Sequence, residues 1–437
     1  MKKILLLLCS LLILVAGTVF AGGEKEGKAA APIEIEVFNL DTGDNIKQAF
    51  DGIVEKYQAE NPNIKVKMNY VGWTEGQDKL LVRAGAGDPP NLAQFNDDYI
   101  GDHTYRGLLM PLDELFADFD LSTVFGPAVD ISRVKGRLMA FQIAQKPRGF
   151  FFVNVDWFKN AGMDLPTEKW GDPSWTWDVM VETAKKLQSG PIDPSKESWG
   201  FAHHLNDEPK RWMLSATNAP NNLIMNNRLQ FDQPFVYETM QFFSDMMNVH
   251  KIHPSWATMI DVGKRQLFLD QKIAMTQSGV WELPFFAKAE FEWDLVPIPK
   301  KVRAVTEASL VNYGILKGAK HPQESANLAM YFLKAENQRS FGRLTGFCPH
   351  LKSEAETLEW VGDVMPKRAH ILFDALEHTY YGPFNEPGWY YARNVLKPLL
   401  ADIYNGVKPA KELMLQVQAK GQKELDKIAP MIKDFKF

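Results

Sequence analysis

The apolar residues between positions 33 and 70 change their spacing twice, and this pattern constrains the fold more than any other feature. Residues 33–38 (IEIEVF) are typical of a strand, because β-branched residues alternate with glutamates. Residues 46–57 then place their apolar side chains on one helical face, and residues 64–70 alternate apolar and polar side chains as a second strand. Such a β-α-β unit requires parallel strands and a right-handed crossover. The sequence therefore predicts an α/β fold.

Polar loops follow two of the predicted strands. The first strand ends in residues 39–44 (NLDTGD), and a strand at residues 91–95 runs into residues 96–99 (NDDY). Ligands of open α/β sheets bind beyond the carboxyl ends of the parallel strands, where such loops lie. Two polar loops at one edge of a sheet predict a polar ligand.

The rest of the chain is richer in helical patterns than in strand patterns. An aromatic strand is predicted at residues 149–155, and a helix is predicted to begin after Thr176, a suitable N-cap residue. Helical spacing of apolar residues returns in four later segments, at residues 234–249, 322–333, 395–404 and 413–428.

The N-terminus carries the parts of an export signal. Two lysines precede an apolar run over residues 4–15, and small residues follow up to Ala21. We expect residues 1–21 to be removed as a signal peptide, and residues 22–31, which are small and charged, to form a flexible tether. The signal predicts an exported protein.

Net charge, cysteine content and chain length limit the partners, the covalent links and the number of domains that this protein can have. The chain has 49 basic and 54 acidic residues without a basic stripe, so no nucleic-acid partner is predicted. Cys9 lies inside the apolar run, where lipidation is not favoured, and Cys348 alone cannot form an intrachain disulfide. A length of 437 residues indicates two or more domains at about 100–200 residues each.

Motifs of catalysis and cofactor binding are missing from the sequence. It contains no His-Glu-x-x-His, no Gly-x-Ser-x-Gly, no Walker loop and no Gly-x-Gly-x-x-Gly after a strand. We therefore predict no catalytic residue, no metal ligand and no cofactor. Acidic residues are numerous, and a glycosidase pair is defined by the distance between two carboxylates rather than by sequence spacing.

Four of the twelve tryptophans stand beside polar or turn residues, at Trp73, Trp212, Trp281 and Trp389. An aromatic ring flanked by carboxylates and amides suits a sugar, because the sugar offers an apolar face and several hydroxyls. Core packing is the other interpretation of each ring. Glu282, next to Trp281, can accept hydrogen bonds from sugar hydroxyls.

Several segments resemble, in sequence and in order, the sugar-binding class of the periplasmic solute-binding proteins of ABC importers, the class that includes maltose-binding protein. These segments are residues 88–93, 151–162, 169–187, 268–281 and 312–333. The resemblance implies the two-lobe fold of class II periplasmic binding proteins, with a three-segment hinge and an interlobe cleft. It also implies a periplasmic location, a carbohydrate ligand, a monomeric protein and delivery to the transmembrane subunits of an ABC permease.

The resemblance also implies lobe boundaries and site residues. One lobe would comprise residues 32–145 with 303–345, and the other residues 146–302 with 346–437. Asn312 and Tyr313 stand where many relatives carry small residues, which implies a different or tighter pocket wall. The other residues implied to contact ligand are Asp41, Thr42, Asp97, Asp98, Arg148, Trp212, Trp281 and Trp389.

Two other functions stay open at this point. Tyr380-Tyr381 and Tyr390-Tyr391 resemble the tyrosine pairs with which related ferric-ion-binding proteins hold iron. A secreted glycoside hydrolase is the second alternative. Ferric absorbance and turnover of a chromogenic glycoside would distinguish these two functions from sugar capture.

Overall fold

The computed structural model describes residues 31–189, 197–203, 205, 209–217, 223–307, 309–363, 365–382 and 387–437. The predicted signal peptide and nearly all of the predicted tether lie outside the described residues. Within the described ranges, we find no helix with both the length and the apolar character that a bilayer span needs.

The strands vary in length from two to seven residues, and the longer ones form two main sheets. In chain order they are β1 (Ile33–Asn39), β2 (Ile64–Tyr70), β3 (Leu92–Phe95), β4 (Arg133–Val134), β5 (Arg137–Leu138), β6 (Phe141–Gln145), β7 (Arg148–Asn154), β8 (Trp199–Ala202), β9 (Ile224–Met225), β10 (Arg228–Leu229), β11 (Ile273–Gly279), β12 (Trp293–Val296), β13 (Thr306–Glu307), β14 (Leu310–Ile315), β15 (Cys348–Pro349) and β16 (Thr379–Tyr380).

The helices surround these sheets. In chain order they are α1 (Asp44–Glu60), α2 (Trp73–Gly85), α3 (Ile100–Tyr105), α4 (Gly126–Ile131), α5 (Val155–Asn160), α6 (Trp177–Ser189), α7 (Pro209–Ser215), α8 (Pro234–Asn248), α9 (Trp256–Asp261), α10 (Lys264–Leu269), α11 (Leu283–Phe286), α12 (Pro322–Phe332), α13 (Ala335–Thr345), α14 (Lys352–Glu356), α15 (His370–Glu377), α16 (Trp389–Leu396), α17 (Leu400–Tyr404) and α18 (Ala410–Asp434).

The first main sheet has six strands in the order β15-β6-β14-β3-β1-β2. β1 pairs in parallel with both β2 and β3, and α1 connects β1 to β2. The predicted β-α-β unit is therefore confirmed. β14 runs antiparallel to β3 and β6, so a late segment of the chain completes the sheet that the N-terminal segment begins.

The second main sheet has four strands in the order β12-β7-β11-β8. Its strand β7 contains the run Phe150–Val153, in which every residue is fully buried, so both faces of the sheet are covered. The aromatic character of the strand at residues 149–155 reflects this burial on both faces.

The chain passes directly from one main sheet to the other. β6 ends at Gln145 in the six-stranded sheet, and β7 begins at Arg148 in the four-stranded sheet. The chain returns between β12 and β14 through β13, which pairs in parallel with the later strand β16. The Thr306 hydroxyl donates a hydrogen bond to the carbonyl of Arg148, which ties two of the connecting segments together. The exact lobe boundaries stay a prediction.

Close packing of backbone against backbone fixes one contact in the four-stranded sheet. Gly200 lies in β8, and a Cβ atom at this position would lie 2.0 Å from the carbonyl oxygen of Ala184 in α6. The neighbouring atoms are backbone, so they cannot move aside as a flexible side chain would.

We expect Gly200→Ala to destabilise the protein by about 3 kcal/mol, the upper end of the usual cost of overpacking, because the helix must move away from the strand. Urea unfolding of the ligand-free protein measures this free energy. Gly52→Ala is the matched control, since Gly52 lies in α1 with no atom within 4 Å of the added Cβ. This control should stabilise the protein by roughly 0.5–1 kcal/mol through helix propensity. Equal effects of the two substitutions would contradict the packing argument.

Candidate functional site

The carboxyl ends of β1 and β3 meet at one edge of the six-stranded sheet and hold a buried carboxylate. Asp41 follows β1, and its Oδ1 accepts a hydrogen bond from the indole Nε1 of Trp73 at 2.8 Å. Its Oδ2 accepts from Gln94 Nε2 of β3 at 2.6 Å. Asp41 thus fixes the orientation of Trp73, the first residue of α2. The predicted neighbour Thr42 is exposed beside it.

A pocket of about 410 Å³ opens beside Trp73. The opposite wall comes from α16 and the residue after it, and the aromatic ring of Tyr99 lies 5.1 Å from that of Tyr390. Three aromatic side chains and several polar groups therefore face one space. The lining residues are Trp73, Gln77, Asp78, Tyr99, Tyr390, Arg393, Asn394 and Lys397.

Most of these lining residues are absent from the residues predicted from sequence. Tyr390, Arg393, Asn394 and Lys397 follow the spacing i, i+3, i+4 and i+7, which places them on one face of a helix. That spacing is a signal in the sequence. It identifies a wall of the pocket only once the fold shows which other part of the chain lies opposite this helix face.

Asp97 is buried at the end of β3. Its carboxylate accepts hydrogen bonds from the backbone N–H of Leu310, at 3.1 Å, and from the side-chain amide of Asn312. Burial raises the pKa of Asp97 to about 7, and the charge of Asp98 adds to this increase, while Lys146 and Arg148 oppose it.

Four charged side chains form a buried cluster next to Asp97. Lys210 Nζ of α7 lies 3.4 Å from Asp98 Oδ1 and also forms an ion pair with Glu307. Arg148 Nη2 lies 2.7 Å from the other carboxylate oxygen of Glu307. The side chains of Lys210 and Glu307 are only 6% and 2% exposed, so the cluster is withdrawn from water.

The charges of this cluster stabilise one another. Burial alone would raise the pKa of Glu307, but the positive charges of Lys210, Arg148 and Arg211 outweigh it and lower the pKa to about 2. Burial would likewise lower the pKa of Lys210, and the charges of Asp98 and Glu307 raise it instead. Both groups are therefore charged at neutral pH.

Trp281 and Glu282 follow the end of β11. The Trp281 ring is half-buried and lies against Gly279, where a Cβ atom would come within 2.4 Å of the ring. The buried carboxylate of Glu282 binds Lys264 Nζ at 2.9 Å and Arg265 Nε at 2.5 Å. Burial would raise the pKa of Glu282, but these two cations lower it to about 2. Its oxygens thus already have protein partners.

Three other predicted site residues lie away from the pocket. Trp212 is fully buried, and its Nε1 donates to Gln277 Oε1 at 2.8 Å, a placement that favours the core-packing interpretation. Asn312 is fully buried between Asp97 and Gln142. Tyr313, the next residue on β14, points to the opposite face of the strand and packs in the core.

Trp389 begins α16, but its side chain lies outside the described residues. The structure therefore brings Asp41 close to Trp73, Asp97 close to Asn312, and Asp98 close to Lys210 and the Glu307–Arg148 pair.

One member of each tyrosine pair forms a hydrogen bond with a protein group. The Tyr381 hydroxyl donates to Gln145 Oε1 at 2.9 Å, and the Tyr391 hydroxyl donates to Asp102 Oδ1 at 3.0 Å. Over the described ranges, no three His, Cys, Asp or Glu side chains are grouped so that they could hold a metal ion.

Comparison with known proteins gives a consistent result. Residues 52–366 match the family described as bacterial extracellular solute-binding proteins. The chain is 25% identical over 279 residues to a maltotriose-binding protein of Pyrococcus abyssi, a match that covers 62% of this chain and 55% of that protein. The chain thus spans about half the length of that relative.

Solved structures show the same fold. A substrate-binding protein of Listeria monocytogenes in complex with cycloalternan has a TM-score of 0.80 at 19% identity, over 90% of this chain and 99% of that one. The maltose/maltodextrin-binding domain of Bdellovibrio bacteriovorus bound to maltotriose has a TM-score of 0.72 at 17% identity, over 90% and 100% of the two chains. The predicted fold class, an α/β two-lobe binding-protein fold with a hinge and an interlobe cleft, is confirmed.

We expect Asp97→Asn to change how stability depends on pH. The pKa of Asp97 in the folded protein, about 7, exceeds the value of about 3.9 in an unfolded chain, so the folded state binds an extra proton between these values. Stability from this group is present at low pH and is lost as the pH rises through 7. The Tm of Asp97→Asn relative to wild type should therefore rise between pH 5 and pH 8. A constant difference over this range would show that Asp97 does not titrate there.

Proposed function

This chain belongs to the bacterial extracellular solute-binding proteins, and from that premise we propose that it captures a carbohydrate in its interlobe cleft and delivers it to the permease of an ABC importer. The observation that carries the proposal is Trp73, which Asp41 orients beside the pocket. A fixed indole with aromatic and amide neighbours provides both contacts that a sugar needs, a ring surface and hydrogen-bonding groups.

We propose an oligosaccharide rather than a monosaccharide as the ligand. The pocket beside Trp73 is about 410 Å³ in volume and extends from α2 to α16. Trp281 would form a second platform, at the end of a strand of the other main sheet. The named relatives bind maltotriose or cycloalternan, which supports a ligand of several sugar units.

The matched family and the maltotriose-binding relative are described as binding proteins. We accordingly propose that this protein binds its ligand without catalysis. As a member of an extracellular family, it would act outside the cytoplasm, after removal of residues 1–21, as a monomer that meets the transmembrane subunits of the permease. The predicted ligand contacts at Thr42, Asp98, Arg148, Glu282 and Trp389 remain part of this proposal.

Thermal unfolding with a panel of sugars tests the function. Maltotriose, longer linear glucans, cyclic glucans and monosaccharides would be compared at equal concentration. A ligand present at a hundred times its Kd stabilises a protein by about 2.7 kcal/mol, which raises Tm by several degrees. The same sugar should decrease the radius of gyration in small-angle scattering as the hinge closes. If no sugar raises Tm while ferric ion produces a visible absorption band, or if a chromogenic glycoside is hydrolysed, sugar capture is not the function.

We expect Trp73→Ala to weaken sugar binding by roughly 1–3 kcal/mol, because it removes an aromatic contact surface and leaves Asp41 without its indole donor. Titration calorimetry with the sugar identified in the screen measures this loss. Trp256→Ala is the control, since Trp256 is also half-buried but stacks on Tyr404 beside a different pocket. The control should keep wild-type affinity. Equal losses in both variants would argue against Trp73 as a sugar platform.

A further inference from the structure

The Lys210–Asp98 contact joins elements that belong to different main sheets. Asp98 follows β3 of the six-stranded sheet, within the 3₁₀ turn Asp97–Tyr99. Lys210 lies in α7, which is anchored to the four-stranded sheet by the hydrogen bond from Trp212 to Gln277 of β11. A relative movement of the two lobes therefore changes the distance between Lys210 Nζ and Asp98.

The other two members of the cluster lie on the segments that connect the sheets. Arg148 begins β7 immediately after the first crossing, and Glu307 ends β13 on the return path. The hydrogen bond from Thr306 to the Arg148 carbonyl keeps these segments together. The Glu307–Arg148 pair thus stays at the hinge, while Asp98 and Lys210 are carried by the two lobes.

We propose that Lys210 is a positioning residue for lobe closure, whose ion pair with Asp98 forms across the cleft whenever the lobes close and favours the closed form both in the ligand-free protein and on ligand. The inference rests on the proposed function, because closure on a ligand is what the pair would stabilise. Lys210 acts through Asp98 and through the arrangement of the lobes. It does not need to contact the sugar itself.

The burial of the pair supplies the physical reason. With the lobes together, the side chains of Lys210 and Asp98 are 6% and 14% exposed, so each charge has lost most of its water. A carboxylate that is buried without its cation is strongly disfavoured, and the removal of one partner costs more than the intact pair contributes. When the lobes separate, Asp98 returns to water, while Lys210 can keep its ion pair with Glu307 at the hinge. The loss of the Glu307 pair in a lysine variant is then common to both forms, whereas the unpaired Asp98 carboxylate disfavours the closed form specifically.

A second buried lysine provides a comparison inside one lobe. Lys264 is as buried as Lys210, and its Nζ lies 2.9 Å from Glu282 Oε1. Lys264 begins α10 and Glu282 follows β11, so both groups belong to the lobe built on the four-stranded sheet. Lobe movement leaves this pair intact. Lys264→Met therefore removes a buried lysine charge without affecting a contact across the cleft.

The test compares four variants, Lys210→Met, Asp98→Asn, the double variant and Lys264→Met, in scattering and in stopped-flow dissociation of the sugar. We expect Lys210→Met to increase the radius of gyration of the protein, with and without sugar. We also expect it to accelerate dissociation of the sugar by about tenfold or more. Lys264→Met should leave the radius of gyration unchanged, whatever it does to Tm or, through Glu282, to sugar dissociation. Asp98→Asn is nearly isosteric and serves as the second route if Lys210→Met does not fold. Its readout is the radius of gyration of the ligand-free protein, because Asp98 is also a proposed sugar contact. The sugar should dissociate from the double variant more slowly than the product of the two single effects predicts, because both substitutions remove the same ion pair.

Two results would overturn the proposal. One is an unchanged radius of gyration and dissociation rate in Lys210→Met, and the other is simple multiplication of the two single effects in the double variant. If no sugar alters the scattering of the wild-type protein, the proposed function fails separately. Scattering of the ligand-free proteins then tests the closure role of Lys210. Equal radii of gyration for ligand-free wild type and ligand-free Lys210→Met would contradict that role.

Discussion

The parallel pairing of β1 with β2 and β3 is the interaction on which the rest of this structure depends. Because all three strands run in the same direction, the chain leaves each of them at the same edge of the sheet. Asp41, Trp73 and Asp97 follow these strands and therefore lie at that edge. The backbone hydrogen bonds of the sheet thus determine where the polar groups of the site converge, although those groups are far apart in the sequence.

Buried carboxylates in this protein differ in charge because they differ in neighbouring cations rather than in burial. Asp97, Glu282 and Glu307 are all withdrawn from water, yet the pKa of Asp97 is raised to about 7 and that of each glutamate is lowered to about 2. The glutamates form direct ion pairs with lysine and arginine, whereas Asp97 accepts hydrogen bonds from amide groups. The same desolvation cost therefore produces a group that titrates near neutral pH in one place and fixed charges in two others.

The local periodicity of the sequence was sufficient to predict the β-α-β unit and the polar loop that contains Asp41, since both depend on residues close in the chain. The resemblance to a family was needed to predict the two lobes. The role of Trp212 could not be deduced from its neighbours, because a tryptophan beside an arginine is compatible with a cleft or with a core. The Lys210–Glu307 pair joins residues that are distant in sequence, and no pattern in either segment refers to the other. Long-range pairing of charges depends on the fold, not on spacing.

The pocket beside Trp73 has one wall from an N-terminal helix and the other from a helix near the C-terminus. The α16 wall consists of Tyr390, Arg393 and Asn394, on one face of a helix that takes no part in either main sheet. Substitutions on this face can alter the shape and charge of the pocket while the sheet edge that holds Asp41 is preserved. Recognition of a new ligand can therefore evolve, or be engineered, through a few positions on one helix without rebuilding the scaffold that closes around it.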